Sequence, residues 1–296
     1  MRSIAYAIIS CVFASCSPAE AGPQFDQHTA LSYVERQLAF GYRIPNTEGH
    51  RQTGDWILER LRATADTVEV QAFTHVTVDG DTLALRNFIG RFRPESSERV
   101  LMLAHWDTRP YSDNAQNLGD RSLPVPGAND GASGVAVLLA VADQLALEPP
   151  VYGVDLLFVD GEDYGDFIED KDVLLGSRYF AANLPAGYQP LFAVLFDMIG
   201  DRDLSIEQEW HSVQRTPEVV ERVWRAANQL GHGDVFVDRV GAAVTDDHLP
   251  LLDAGIRAID VIDFEYPYHH TPQDTLDKVS AESLRIVGEV ALALVR

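Results

Sequence analysis

Residues 154–163 read VDLLFVDGED, an apolar run that ends directly in a pair of acids. A short, nearly continuous apolar run that ends at Gly and charged residues is typical of a strand buried on both faces of a sheet. The carboxylates of Glu162 and Asp163 follow at the point where this strand ends. Ligands bind outside the carboxyl ends of strands in α/β sheets. The segment therefore predicts an α/β fold with its chemistry at that edge.

The rest of the chain alternates between strand-like apolar runs and segments with helical spacing. Further strand-like runs are TVEVQAF (67–73), DTLALRNFIGRF (81–92), RVLMLAH (99–105), LFAVLFDMIG (191–200) and AIDVID (258–263). Helical spacing covers residues 27–43, 48–64, 131–146, 174–184, 217–230 and 280–295. Strands that alternate with helices predict a single-domain α/β/α sandwich with a mixed, mainly parallel central sheet. We assign this domain to residues 27–296.

The amino-acid composition argues against some classes of function. The 296 residues carry 45 acidic and 23 basic side chains, a formal net charge of −22, and 46% of them are hydrophobic. That apolar content is sufficient for one large domain. Clustered Lys and Arg are scarce, which argues against nucleic acid as a partner and against a basic membrane-binding face. The composition is compatible with an acidic enzyme that binds cations.

The N-terminus is typical of a targeting segment. Arg2 precedes the apolar run 4–14, which is too short to span a bilayer and suits a signal peptide over residues 1–21. FASC at 13–16 resembles a lipoprotein box, which would lipidate Cys16, whereas Ala19-Glu20-Ala21 suits ordinary cleavage. We therefore expect an exported protein, either periplasmic or a membrane-anchored lipoprotein, and otherwise secreted.

Both cysteines, Cys11 and Cys16, lie within this targeting segment. The domain therefore has no disulfide and no thiol available for catalysis or for zinc binding.

Metal-binding residue types follow the predicted strands. They are His105 and Asp107, on either side of Trp106, after one strand, Glu162 and Asp163 after the next, then Asp197, and finally His269 and His270, with Asp130 at the start of a helix. Each acid alone is explained by a helix cap or a solvated turn. Converging carboxylates without Lys or Arg repel one another, however, and a cation is the natural compensation. Mixed His and Asp/Glu ligands without Cys suit a catalytic zinc ion.

These segments also resemble a known family. HWD (105–107), PGANDGASG (126–134), FVDGED (158–163), LFDMIGD (195–201), DDHLPLL (246–252) and HHTPQDT (269–275) resemble the M28 zinc-peptidase superfamily, and the resemblance covers about residues 28–296. Within the superfamily, VTDDHLPLL (244–252) and LLGSRYFAANL (174–184) are most similar to glutaminyl-peptide cyclotransferases, also called glutaminyl cyclases.

The resemblance implies a phosphorylase/hydrolase-like fold of the zinc aminopeptidase type. It implies zinc held by Asp130, Asp163 and His270, with Asp163 standing where relatives commonly have Glu. It also implies a cis peptide bond at Asp130. Glu162 would be the general acid and base, in a hydrogen-bond network with Asp197 and Asp246. We expect one zinc ion per chain. Two ions remain an alternative, and the residues that would hold a second ion or support the first are His105, Asp107, Asp247 and His248.

The substrate pocket departs from the cyclase pattern at one position. Many cyclases have Trp immediately before the zinc-binding His, where this chain has His269. We predict Trp106, Tyr266 and His269 as substrate-binding residues, with Phe264 and Tyr268 as further candidates for an aromatic wall.

The activity implied by the resemblance is conversion of N-terminal glutamine to pyroglutamate with release of ammonia. The partners would be peptides with N-terminal Gln, bound by a monomer. Two alternatives stay open. One is an M28 zinc aminopeptidase, possibly with two metal ions, and the other is a catalytically inactive binding module.

Overall fold

The computed structural model describes residues 25–296, so the predicted signal peptide and Cys16 lie outside the described residues. The helices are α1 Gln27–Ala39, α2 Glu48–Thr64, α3 Ala132–Leu147, α4 Leu175–Ala182, α5 Trp210–Arg215, α6 Pro217–Gln229, α7 His248–Asp253 and α8 Ala281–Ala293. The strands are β1 Thr67–Val76, β2 Thr82–Phe92, β3 Arg99–His105, β4 Gly153–Val159, β5 Phe192–Asp197, β6 Ile206–Gln208, β7 Phe236–Val240 and β8 Ala258–Ile262. Within this part of the chain, no helix is both long enough and apolar enough to cross a bilayer.

The central sheet has the strand order β1-β2-β4-β3-β5-β8. Strands β4, β3, β5 and β8 run parallel, whereas β1 and β2 form an antiparallel pair that joins β4 in antiparallel register. The mixed, mainly parallel sheet predicted from the sequence is confirmed. Because the four parallel strands end at the same edge, the residues that follow them are brought together there.

Helices cover both faces of the sheet, as the alternation along β3 shows. Val100, Met102 and Ala104 pack into the core formed with α1, α2, α3, α6 and α8. Leu101 and Leu103 face the other way and pack with residues of α4 and α7. Successive strand side chains point to opposite faces, so an apolar run such as RVLMLA supplies both cores at once. The predicted α/β/α sandwich is confirmed.

Helix α3 lies unusually close to the sheet. A Cβ atom added at Gly134 would lie 2.2 Å from the carbonyl oxygen of Phe196 in β5 and 2.9 Å from the Cβ of Ala104 in β3. Only glycine permits this approach. The close contact fixes the first turn of α3, and with it Asp130, above the ends of the parallel strands.

Two regions differ from the sequence prediction. The first predicted helix extends to residue 43, but α1 ends at Ala39 because Gly41 follows with φ 93°, a conformation that stops helices. The short parallel pair β6 and β7 and the six-residue helices α5 and α7 were not predicted. Such short elements contain too few residues for a periodic pattern.

Candidate active site

A cavity of about 270 Å³ opens at the carboxyl ends of the parallel strands. Its lining combines titratable groups with an apolar wall: Asp130, Glu162, Asp197, Asp246, His269 and His270 on one side, and Phe167, Met198, Ala243, Val244, Thr245, Ile262 and Phe264 on the other. The structure therefore brings together seven of the residues singled out in the sequence, the six titratable residues and Phe264.

The backbone on both sides of Asp130 is fixed by a close contact and by hydrogen bonds. Gly131 has φ 85°, and a Cβ there would lie 2.8 Å from the carbonyl oxygen of Asp107. The carboxylate of Asp274 accepts hydrogen bonds from the amide nitrogens of Asn129, at 2.9 Å, and Asp130, at 3.1 Å. The hydroxyl of Tyr266 donates to Asp274 at 2.7 Å. No cis peptide bond occurs within residues 25–296, so the cis bond expected at Asp130 is wrong.

Two of the predicted zinc ligands, Asp130 and Asp163, lie beside the imidazole of the third, His270. Nε2 of His270 lies 3.2 Å from Oδ1 of Asp163 and 3.7 Å from Oδ2 of Asp130. Oδ2 of Asp130 and Oδ2 of Asp163 are both buried and have no hydrogen-bond partner in the described chain. Leaving a buried carboxylate oxygen unpaired is costly, and a cation removes that cost. Carboxylate oxygens beside a neutral imidazole nitrogen suit zinc.

His270 is oriented by a carboxylate that the sequence analysis missed. Oδ1 of Asp113 lies 3.3 Å from Nδ1 of His270, which directs Nε2 towards the other two ligands. Burial opposes protonation of His270, but the charges of Asp163 and the contact with Asp113 raise its pKa to about 10. Without a metal, a proton on the imidazole therefore supplies the positive charge, and zinc would displace it.

Arg109 was also missed. Its guanidinium donates to Oδ1 of Asp163 at 2.8 Å and to both oxygens of Asp113, at 2.9 and 2.7 Å. It thus neutralises part of the acidic charge and fixes Asp163 through Oδ1, the same oxygen that lies near His270. Arg109 lies in a loop with no periodic pattern, which explains why no signal in the sequence pointed to it.

A second group of metal-binding residue types surrounds His105. Its Nε2 lies 3.0 Å from Oδ1 of Asp197 and 3.2 Å from Oδ1 of Asp130, so these three residues can hold a metal ion. Burial opposes protonation of His105, but Asp197 and Glu162 outweigh it and raise its pKa well above the usual value. Asp107, also predicted near a metal, instead accepts from the amide nitrogens of Glu162 and Asp163 at 3.0 and 3.1 Å. It orders the loop after β4.

The predicted catalytic carboxyls are deeply buried. Burial raises the pKa of Glu162 well above its usual value, and the charges of Asp163 and Asp246 add to the effect. Burial also raises the pKa of Asp246, with Asp197 contributing next, and raises that of Asp197 itself. Carboxyls in such a group share protons rather than all ionising. The site can therefore retain a transferable proton on these carboxyl groups.

Asp247 and His248 support this group from behind. Asp247 accepts from the hydroxyl of Ser177 at 2.5 Å. His248 is fully buried, with Nε2 3.2 Å from Glu209 and Nδ1 3.9 Å from Asp260. Neither residue belongs to the groups of described residues that could hold a metal ion. Their contacts fit the supporting role, which is one of the two roles predicted for them from the sequence.

Two predicted substrate contacts are corrected. Trp106 has no exposed surface, because it stacks on His50 at 4.3 Å and its Nε1 donates to the carbonyl oxygen of Arg86. Tyr266 is only 3% exposed and its hydroxyl is used by Asp274. Both side chains belong to the interior. His269 lines the cavity, and its role in substrate binding stays a prediction.

Phe264 also lines the cavity, together with Phe167, which the sequence analysis did not single out. Phe167 follows the FVDGED segment by four residues and lies 6.2 Å from the ring of His270. A large apolar residue in an acidic loop, YGDFIED, was the signal that could have identified it.

An α/β/α sandwich with carboxylates and imidazoles gathered at the ends of four parallel strands defines a zinc-dependent enzyme. The chain belongs to peptidase family M28, whose family model matches residues 87–295.

Solved structures and a curated relative are similar to the chain. A glutaminyl cyclase from Bacteroides thetaiotaomicron is 38% identical, with a TM-score of 0.89 over 93% of this chain and 99% of that one. A Zn-dependent exopeptidase from Parabacteroides distasonis is 36% identical, with the same TM-score and coverage. Aminopeptidase YwaD of Bacillus subtilis is 26% identical over 85% of this chain, and the match spans 51% of that protein, about half its length.

Proposed function

We propose that this protein is a zinc-dependent glutaminyl-peptide cyclotransferase, which converts the N-terminal glutamine of peptides to pyroglutamate. The observation that carries the proposal is the group formed by Glu162, Asp197 and Asp246, whose raised pKa values allow a proton to be held and moved beside the cavity. The similarity to a solved glutaminyl cyclase over nearly the whole described chain supports it.

The reaction needs no nucleophile from the protein. The α-amine of the substrate attacks its own γ-carboxamide carbon, a C–N bond forms to close a five-membered lactam, and the bond to the amide nitrogen breaks to release ammonia. Asp130, Asp163 and His270 would hold the zinc ion, which would supply Lewis acidity to the substrate carbonyl when bound. We propose one zinc ion per chain at these ligands.

Glu162 performs the proton transfer. As the C–N bond forms, its carboxylate takes a proton from the α-amine, and it then returns the proton to the departing nitrogen, which leaves as neutral ammonia. Burial and the charge of Asp246 raise the pKa of Glu162, because both oppose ionisation of its carboxyl group. Water would compete with the amine, and the apolar wall of Val244, Ile262 and Phe264 limits its access.

The decisive assay measures ammonia and pyroglutamate released from peptides with N-terminal Gln. We expect turnover by the zinc-loaded protein and a fall in kcat of about 10²–10⁴-fold for Glu162→Gln, because the amide cannot carry the proton. Glu169→Gln, at an exposed position of the same loop, is the matched control and should keep full activity.

Zinc bound normally by an inactive Glu162→Gln variant would also exclude the inactive binding module. If the wild-type protein releases no ammonia from Gln-peptides but hydrolyses Leu- or Ala-peptides, the cyclase proposal is refuted.

One observation favours a second candidate, an M28 aminopeptidase. The group of His105, Asp130 and Asp197 offers places for a second metal ion, which such a reaction would use with Glu162 activating water. This candidate predicts two tightly bound zinc ions per chain and hydrolysis of aminoacyl amides. About one zinc ion per chain without such hydrolysis would exclude it.

We also propose that the protein is exported and acts as a monomer on peptides outside the cytoplasm. The support is the apolar run at 4–14 and the FASC segment, which would place a lipid on Cys16. Mass spectrometry of the mature N-terminus distinguishes a lipidated Cys16 from cleavage after Ala21, and sedimentation gives the oligomeric state.

A further inference from the structure

Two adjacent imidazoles face the same cavity. Neighbouring side chains normally point in opposite directions in an extended segment. His270, however, has φ 52°, and the left-handed conformation turns the chain so that the rings of His269 and His270 lie side by side, with centroids 3.9 Å apart. A residue with a β-carbon adopts this conformation at a cost, so the surrounding structure must enforce it.

The backbone of this turn is held by its neighbours. The amide nitrogen of Asn114 donates to the carbonyl oxygen of His270 at 3.2 Å, and its side-chain amide donates to that of His269 at 3.3 Å. The amide nitrogen of His269 donates to the carbonyl oxygen of Tyr266 at 3.2 Å. Both carbonyls thus point outwards to Asn114, and both rings are left on the cavity side.

His269 is within reach of the zinc ligands. One of its ring nitrogens, a carboxylate oxygen of Asp130 and a ring nitrogen of His270 lie within 4.8 Å of one another. Zinc binds imidazole nitrogen and carboxylate oxygen at about 2.0–2.2 Å, so small side-chain rotations bring these atoms around one ion. The ring of His269 packs against those of His270 and Phe264, with centroids 3.9 and 5.6 Å apart, whereas Nδ1 of His270 is fixed by Asp113. Within the described residues, no hydrogen bond of the His269 imidazole opposes such a rotation.

We propose that His269 is a fourth zinc ligand in the resting protein, added to Asp130, Asp163 and His270. A tryptophan at this position has no nitrogen lone pair to offer and could not do this. The proposal rests on the zinc site of the proposed function, but not on the reaction assigned to it. A site with four protein ligands holds its ion more tightly than one with three protein ligands and an open position.

The test measures zinc binding rather than turnover. Wild-type protein, His269→Phe and His269→Cys are stripped of metal, and their zinc affinity is measured by competition with a chromophoric chelator. We expect His269→Phe to bind zinc about tenfold or more weakly, and His269→Cys to retain tight binding because a thiolate is a zinc ligand. The Co²⁺-loaded Cys variant should gain a sulfur-to-cobalt absorption band. The exposed His28→Phe is the matched control.

The outcomes separate the two proposals. If wild-type protein binds no zinc, the proposed zinc site itself fails. If it binds zinc and His269→Phe binds it within twofold of the wild type, or the Cys variant shows no sulfur-to-cobalt band, the role of His269 is wrong while the three-ligand site stands. Circular dichroism and urea denaturation of each variant show whether a loss reflects misfolding, and the Co²⁺ spectrum of His269→Cys then decides.

Discussion

Replacing Asp274 by Asn tests how the metal-binding loop is built. Asp274 is fully buried, and its two carboxylate oxygens accept hydrogen bonds from three donors. Oδ1 accepts from the amide nitrogen of Asn129 and the hydroxyl of Tyr266, while Oδ2 accepts from the amide nitrogen of Asp130. Asn has one oxygen and one NH₂ group, so it cannot serve all three donors.

The geometry indicates which hydrogen bond is lost. The favoured orientation of the introduced asparagine side chain keeps its oxygen at the two-donor position and turns its NH₂ group towards the amide nitrogen of Asp130. Two donors then face each other, and a buried N–H is left unpaired. This costs about 1–3 kcal/mol of unfolding free energy. Because the same N–H fixes Asp130, a proposed zinc ligand, zinc affinity should fall by about 10–100-fold, as for other partners that orient a ligand.

The pH dependence of the free energy of unfolding provides a second test of the role of Asp274. Burial, with the charge of Asp130 adding to it, raises the pKa of Asp274 to about 7 in the metal-free protein. At pH 8 the wild type carries a carboxylate there, whereas at pH 6 it carries a proton and resembles Asn in offering a donor. Because the folded wild type binds a proton that the unfolded chain has already lost, its stability falls as the pH rises towards and through 7, whereas Asp274→Asn lacks this titration. The stability of the wild type relative to Asp274→Asn should therefore be lower at pH 8 than at pH 6.

The assay is urea denaturation of the metal-free proteins at both pH values, with zinc affinity measured by chelator competition at pH 8. The exposed Asp79→Asn is the matched control and should change neither quantity. Equal zinc affinity of Asp274→Asn and the wild type at pH 8, or a wild-type stability relative to the variant that does not fall from pH 6 to pH 8, would refute this account of the loop.

Three further changes test other parts of the structure. Gly134→Ala places a Cβ 2.2 Å from the carbonyl oxygen of Phe196, so urea denaturation should show a loss of about 1–3 kcal/mol, and unchanged stability would contradict the close packing of α3. Arg43 is buried and donates hydrogen bonds to the carbonyl oxygens of residues 106, 126, 127 and 130. Arg43→Met leaves these oxygens unpaired, so the free energy of unfolding should fall by about 3 kcal/mol or more. An unchanged Tm would contradict this prediction. Burial raises the pKa of Asp263 to about 7 from an unfolded value of about 4, so the folded protein binds the extra proton and stability falls as the pH rises between these values. Asp263→Asn should remove this contribution to the pH dependence of the free energy of unfolding. An identical pH dependence in both proteins, measured at pH 4, 5.5 and 7.5, would contradict this prediction.

The sequence predicts the sheet and its edge well, for a physical reason. Strands buried on both faces are apolar over their whole length, so VDLLFV and RVLMLA are visible as runs, and the acids that follow them mark where the sheet ends. The parallel arrangement then requires those acids to meet. The fold and the convergence of Asp130, Glu162 and His270 follow from this reasoning.

What the sequence did not reveal depends on contacts between distant loops. Asp113 and Asp274 are ordinary acids in irregular segments, and only folding places them against His270 and Asp130. Trp106 directly follows His105, but the direction of its side chain is decided by the stacking partner His50 in α2. Adjacency along the chain therefore led to the wrong role for this residue, whereas strand-end position led to the correct place for the acids.

The position of β8 has a consequence for the order of events during folding. Asp130 and Asp163 lie in the first 163 residues, but His270 follows β8, a C-terminal strand that joins the sheet only through β5 at its edge. Because non-local strand pairs form late, after the entropic cost of closing a long loop, the zinc site is incomplete until this last strand docks. Uptake of zinc with native affinity in a refolding experiment therefore reports completion of the sheet, later than the appearance of the local β1–β2 hairpin.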